Sequence, residues 1–175
     1  MRIIAGKYKS RIIKAPKGRR THPMSEKIRG ALFNSIGDIS GLSFLDAFSG
    51  SGAVALEAVS RGAINVHAVE MSPDSFMILK ENRDLLTDEH ELQVHRANVR
   101  SWLKNNNSTY DIVLADPPYD AIGMNALDAC ADAVAAGGLF IVSFPQAEHV
   151  SFSGLKLIDE KRFGNAKLVF YKKFK

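Results

Sequence analysis

A doubly wound α/β domain on a largely parallel sheet is predicted by three observations. Apolar segments of strand length alternate with segments of helical periodicity through most of the chain. A glycine-rich turn stands between the first such strand and the helix that follows it. Acids end the first two strands, and another follows a later one. Strands separated by helices need crossovers, and crossovers within one sheet are right-handed and leave the strands parallel. With 175 residues and 46% hydrophobic content, the chain suffices for one well-buried core and is short for two.

The elements follow in order. "RIIAG" and "RIIKAP" flank "KYKS", so residues 1–20 read as a basic β-hairpin arm, an appendage rather than a core element, ahead of a domain over 21–175. From Ser25, "SEKIRGALFNSIG" places Ile28, Ala31, Leu32, Ser35 and Ile36 on one helical face, with Gly37 as the C-cap. Strands are then expected at 43–48, 64–70, 92–97, 110–115 and 139–144, and helices at 53–61, 73–86, 100–105 and 124–135. Ser72 before Pro73 is an N-cap followed by proline at the first helical position, while Gly62 and the pair Gly137-Gly138 close helices. "LKLIDEKRF" and "AKLVFYKKF", separated by "GNA", read as a closing antiparallel hairpin.

Charge is placed unevenly. Residues 1–29 hold ten Lys/Arg against Glu26 alone, a net of +9, so with +4 overall the remainder carries −5. A cationic arm interleaved with Tyr8 and turn residues suits a phosphate backbone, and Arg2, Lys7, Lys9, Arg11, Lys14, Arg19 and Arg20 are its candidate nucleic-acid contacts. No stretch approaches the roughly 18 apolar residues of a membrane span, and the basic start lacks the apolar block of a signal peptide, so a cytoplasmic protein without a membrane partner is expected. The lone Cys130 excludes an internal disulfide framework, and the five histidines show no metal-ligand spacing. No metal is expected, and nothing demands more than a monomer.

"FLDAFSGSGAVALEA" sets Gly50, Gly52 and Ala55 in the G-x-G-x-x-G/A spacing of a nucleotide-binding turn. Glu70 ends the next strand 18 residues after Gly52, where an acid can accept hydrogen bonds from both hydroxyls of a ribose. Asp46, Glu70 and Asp116 should crowd one crevice, and three carboxylates would repel a pyrophosphate. They would attract the sulfonium and amino group of S-adenosylmethionine. Asn98 either meets an adenine edge or caps the helix after it. In "LADPPYD", Pro117 and Pro118 stop the strand and stiffen the turn, so that Asp116 and a fixed carbonyl can each accept one N–H of a planar amine. Tyr119 would stack on the base, a contact worth roughly 1–3 kcal/mol.

"DAFSGSG", Glu70 and "DPPY" together resemble the class I S-adenosylmethionine-dependent methyltransferases that modify a planar nitrogen. With "RIIAGKYKSR", "HPMSEKIRGALFN" and "RFGNAKLVFYKK", the chain is similar nearly end to end to the RsmD family of bacterial 16S ribosomal RNA guanine-N2 methyltransferases. The resemblance implies a Rossmann-like seven-stranded sheet of order 3-2-1-4-5-7-6 with the last pair antiparallel. It also implies cofactor contacts at Asp46, Gly50, Gly52, Glu70 and Asn98, catalysis around Asp116, Pro117 and Tyr119, and in-line methyl transfer to the exocyclic N2 of a guanine, within a small-subunit particle. His22 and Met24 depart from the Arg-Pro-Thr usual in that family. The same Pro-Pro turn can serve adenine-N6 or glutamine-amide methylation, and a nicotinamide oxidoreductase is the remote alternative.

Overall fold

The computed structural model describes residues 1–16, 24–118, 123–145, 150–164 and 166–174. Seven strands form one sheet of order β3-β2-β1-β4-β5-β7-β6. They are β1 (Ser43–Asp46), β2 (Ile64–Glu70), β3 (Leu92–Arg96), β4 (Tyr110–Ala115), β5 (Val134–Pro145), β6 (Leu155–Phe163) and β7 (Ala166–Lys173). The helices among the described residues are α1 (Glu26–Ile36), α2 (Ala53–Ser60), α3 (Pro73–Leu86), α4 (Val99–Asn105) and α5 (Met124–Asp132). β1 pairs in parallel with both β2 and β4, and β7 runs antiparallel to β5 and β6. The chain therefore winds outward from β1 to β3, then returns to β4, leaving a topological switch point between β1 and β4 where such sheets bind ligands.

Both faces of the sheet are covered, which is why its central strands are continuous apolar runs rather than alternating ones. Phe44, Leu114 and Ile141 pack on one side with residues of α1, α2 and α3, and Leu45, Val113 and Val142 pack on the other with those of α4 and α5. All eight residues of α2 are buried, including Glu57. Between β2, β3 and α4, His67 and His95 stack with ring centroids 5.2 Å apart, and Trp102 lies against both. Burial, and then His95, push the His67 pKa down to about 4.

Capping chemistry sets the ends as expected. The Ser25 hydroxyl accepts from the Ile28 N–H at 3.3 Å and that of Ser72 from the Ser75 N–H at 3.4 Å, while Gly37 ends α1 at φ +76°. Three expectations are corrected. On α1, Ile28, Leu32 and Ile36 pack against the core as expected and are joined by the buried Arg29 and Phe33, but Ser35 is exposed and donates to the Ala31 carbonyl at 2.7 Å. Gly137 and Gly138 do not close a helix: α5 stops at Asp132, and both glycines lie inside β5. There the β4 step from Tyr110 to Ile112 faces the β5 step from Val134 to Leu139, a bulge with Gly137 at φ +77°. A Cβ on Gly138 would stand 2.8 Å from the Asp111 carbonyl, so only glycine lets the strands meet.

The arm is the third correction. Among the described residues its two segments meet in an antiparallel bridge, Arg2 to Ile12, with the Ile3 N–H donating to the Arg11 carbonyl and the Ile13 N–H to the Met1 carbonyl, each at 2.9 Å, as the expected hairpin requires; but Ile3 and Ile13 belong to the main core, so the arm is no appendage. The Glu57 carboxylate accepts from the Ile4 N–H at 2.8 Å and the Ala5 N–H at 3.0 Å. Packed this way the arm is part of the domain's wall, because Ile3 and Ile13 turn inward while Ile12 and the cations turn out.

Candidate active site and nucleic-acid face

The crevice starts from the turn after β1. The Ser49 N–H donates to the Val69 carbonyl at 3.0 Å and the Gly52 N–H to the Ser49 carbonyl at 2.8 Å, which folds "FSGSG" back over the strand ends. Gly52 sits at φ +80°, and a Cβ there would lie 2.3 Å from Leu79 Cδ1, so its missing side chain is what lets α3 support the turn. Gly50, at φ +53°, has nothing within 4 Å of where a Cβ would be. Its backbone faces open space that a ligand can approach.

Three acids converge on that turn. Asp46, 1% exposed, accepts from the Ala55 N–H at 3.2 Å, in the first turn of α2. Glu70 accepts from the Gly50 N–H at 2.8 Å through Oε2 and from the Ser72 N–H at 2.7 Å through Oε1. Each of these oxygens keeps a lone pair for a further donor. Asp116 follows β4, partly buried, with the Ser143 hydroxyl hydrogen-bonded to its carboxyl. Burial, then the charge of Asp116, and more weakly that of Glu70, lift the Asp46 pKa to about 7. Burial raises Asp116 as well. A pocket in which Asp46 and Asp116 resist ionisation is matched to a positively charged occupant, which would relieve both.

Around this centre, Pro117 is buried and Pro118 exposed, while Tyr119 lies outside the described residues. Asn98 is exposed and caps α4, its Oδ1 accepting from the Ser101 N–H at 3.2 Å, with Nδ2 3.8 Å from the sulfur of Met71. Capping uses the acceptor; the amide donors remain on the side of Met71, beside Glu70.

The arm presents its cations on a separate surface. Arg2 pairs with Glu26 at 3.2 Å, Lys14 with Glu81 at 2.9 Å, and Lys7 with Glu91. Glu91 also accepts from the Tyr8 hydroxyl at 2.9 Å and from Thr87, and the bonds from Lys7 and Thr87 hold its pKa down at about 2. A concavity of about 410 Å³ between arm and α1 is lined by Arg2, Lys9, Ser10, Glu26 and Lys27. Lys9 and Arg11 have no ion-pair partner among the described residues, whereas Arg19 and Arg20 lie outside them, as do His22 and Pro23.

A family model described as Conserved hypothetical protein 95 matches residues 1–172. The chain belongs to this family, the RsmD family. Several curated relatives bear the name Ribosomal RNA small subunit methyltransferase D. That of Buchnera aphidicola subsp. Baizongia pistaciae is 39% identical over 121 residues, covering 68% of this chain and 61% of its own. That of Escherichia coli strain K12 is 32% identical over 120 residues, covering 68% and 60%. This chain thus spans about six tenths of the length of these relatives. The solved structure of yhhF from Escherichia coli is 27% identical and superposes with a TM-score of 0.88, covering 99% of this chain and 98% of that one. The family resemblance and the seven-stranded order that it implies are both borne out.

In this family member the functional residues that sequence reasoning missed are supporting ones. Arg29 and Glu57, both 0% exposed, form an ion pair at 3.5 Å behind the glycine-turn helix, and Arg61 adds a 2.9 Å bond to the same carboxylate. Ser143 holds Asp116, and Asn82 holds the arm. Only Ser143 carries a visible signal, as the one hydroxyl in the apolar run "LFIVSF".

Proposed function

We propose that the crevice beyond β1, β2 and β4 binds S-adenosylmethionine and that the protein methylates the exocyclic N2 of a guanine in 16S ribosomal RNA. The observation that carries this reading is the convergence of Asp46, Glu70 and Asp116 on a glycine turn, with Asp46 driven to a pKa of about 7 by burial and by its acidic neighbours. Such a site favours a cationic nucleoside and opposes a pyrophosphate, which argues against the nicotinamide alternative. The names of the curated relatives support the ribosomal substrate.

When bound, S-adenosylmethionine supplies a methyl group made electrophilic by its sulfonium. Gly50 and Gly52 give it backbone clearance, Glu70 offers its free lone pairs to the ribose, Asp46 meets the positively charged end, and Asn98 offers amide donors to the base. Asp116 and the Pro117 carbonyl accept the two N–H bonds of the guanine amine, and Tyr119 stacks on the ring, so their contribution is mainly orientation. Asp116, with its pKa raised by burial, is suited to take the proton that the amine releases at its carboxylate oxygen. The guanine must be unstacked first, which costs a few kcal/mol unless it is already exposed. Arg2, Lys7, Lys9, Arg11, Lys14, Arg19 and Arg20 hold the flanking phosphates. We further infer a monomer acting in the cytoplasm on a small-subunit particle, with no metal.

Mass spectrometry of ribosomal RNA from cells with and without the protein tests this. One guanine should lose a methyl group on its N2 in the deletion and regain it on complementation. An unchanged set of methylated guanines would overturn the assignment, and a loss at an adenine N6 would redirect it.

A further inference from the structure

Asn82 is buried at 0% exposure on α3, and its carboxamide is fully engaged. Its Oδ1 accepts from the Lys14 N–H at 2.8 Å, and its Nδ2 donates to the Lys14 carbonyl at 3.0 Å and to the Ser51 carbonyl at 2.9 Å. One side chain thus pairs with the arm's backbone as a neighbouring strand would, and also holds the residue between Gly50 and Gly52. The arm's other hydrogen bonds to the body, among the described residues, go to Glu26, Arg29, Glu57, Ser60, Glu81 and Glu91, and none of these partners also bonds the glycine turn as Asn82 does. Leu79, three residues earlier on the same helical face, is the side chain against which Gly52 packs. α3 is therefore a strut with the glycine turn on one side and Lys14 on the other.

We propose that Asn82 is a positioning residue that couples the two sites, so that nucleic acid on the arm and the nucleoside ligand at the glycine turn each strengthen binding of the other. Both sites need the same arrangement of α3, arm and turn, and ordering it for one ligand reduces what the second must order. A polar amide with every group satisfied has one well-defined arrangement, and loosening either end leaves buried donors and acceptors unpaired, which transmits the disturbance to the other end. The proposal rests on the assignment of the crevice to S-adenosylmethionine and of the arm to RNA, and deepens it.

The test measures binding rather than turnover. The dissociation constant of S-adenosylhomocysteine is read by calorimetry without RNA and with a saturating small-subunit RNA fragment, and that of the RNA with and without S-adenosylhomocysteine. For the unaltered protein the two ratios should be equal, as linkage requires, and at least about fivefold. Asn82→Ala should bring both ratios close to one. Lys14→Pro removes the arm's N–H to Asn82 together with the Lys14 ammonium and leaves the Asn82–Ser51 bond in place; unlike Lys14→Ala, which removes the ammonium and keeps the N–H, it should abolish the ratio while intrinsic S-adenosylhomocysteine affinity stays within about twofold. Glu81→Gln, which removes only the surface partner of the Lys14 ammonium, should keep the ratio. Full coupling in folded Asn82→Ala or in Lys14→Pro would overturn the proposal, as would a ratio of one in the unaltered protein. A failure of the unaltered protein to bind S-adenosylhomocysteine at all would instead overturn the underlying site assignment.

Discussion

Replacing Glu57 with Gln should be the most damaging isosteric change in the molecule. The carboxylate is 0% exposed and receives the Ile4 and Ala5 N–H groups, the Arg61 guanidinium at 2.9 Å and the Arg29 guanidinium at 3.5 Å. Arg29 is equally buried, its Nε has no hydrogen-bond partner, and burial already pulls its pKa below the ordinary value while Glu57 acts to restore it. Glutamine keeps the shape, removes the charge and turns an amide donor toward a ring of donors. Stranding one member of a buried ion pair costs about 3–5 kcal/mol. At about 2–4 °C per kcal/mol for a chain of this size, Tm should fall by about 6–20 °C. Differential scanning calorimetry at pH 7.5 measures it. The double variant Arg29→Met with Glu57→Gln no longer strands the arginine, so its loss should be smaller than the sum of the two single losses by at least about 1 kcal/mol. A Tm change under about 2 °C for Glu57→Gln, or strict additivity in the double variant, would refute the reasoning.

Other consequences follow from the same contacts. Gly52→Ala places a Cβ 2.3 Å from Leu79 Cδ1 at φ +80°, so chemical denaturation should show a loss of about 1–3 kcal/mol, and a variant as stable as the parent would contradict the tight support of the turn. Stability has two opposing limbs in mild acid. Asp46, with a folded pKa of about 7 above its unfolded 3.8, contributes stability that is present at low pH and lost as pH rises through 7; His67, with a folded pKa of about 4 below its unfolded 6.5, contributes stability that is present above 6.5 and lost as pH falls through 4. Asp46→Asn removes the first limb, so its urea midpoint should drop more steeply than the parent's between pH 6.5 and 4, and equal slopes would dismiss one of the two shifts. Replacing Lys9 and Arg11 with Ala should lower the slope of log RNA affinity against log salt by about 2, because neither has an internal ion-pair partner among the described residues; an unchanged slope would place the RNA elsewhere.

Much of the architecture was legible because its signals are local. The alternation of strand and helix, the Ser72-Pro73 start of α3, the Gly37 stop of α1 and the closing hairpin all depend on residues adjacent in sequence. The acidic crevice was legible because parallel strands end on the same side, so Asp46, Glu70 and Asp116 had to meet once the topology was known. Long-range partnerships were not legible. Arg29 reads as a solvent position on an amphipathic helix until Glu57 arrives from α2 to neutralise it. Gly137 and Gly138 read as helix punctuation because nothing nearby announces the bulge opposite Tyr110 and Ile112. The arm read as detached because its cations dominate its composition, although Ile3 and Ile13 are buried in the core and Glu57 and Asn82 bond its backbone. Asn98 shows how one residue can satisfy two readings: its Oδ1 caps α4, and its Nδ2 faces Met71.

The central claim is that an acid-lined glycine turn holds a cationic methyl donor against an amine gripped by Asp116 and the Pro117 carbonyl. A crystal structure of the complex with S-adenosylhomocysteine tests it most directly. The ligand should lie beyond the ends of β1, β2 and β4 with its ribose on Glu70 and its sulfur facing Asp116 across a gap wide enough for one amino group. A ligand bound elsewhere, or a sulfur turned away from the Asp116-Pro117 corner, would contradict the account.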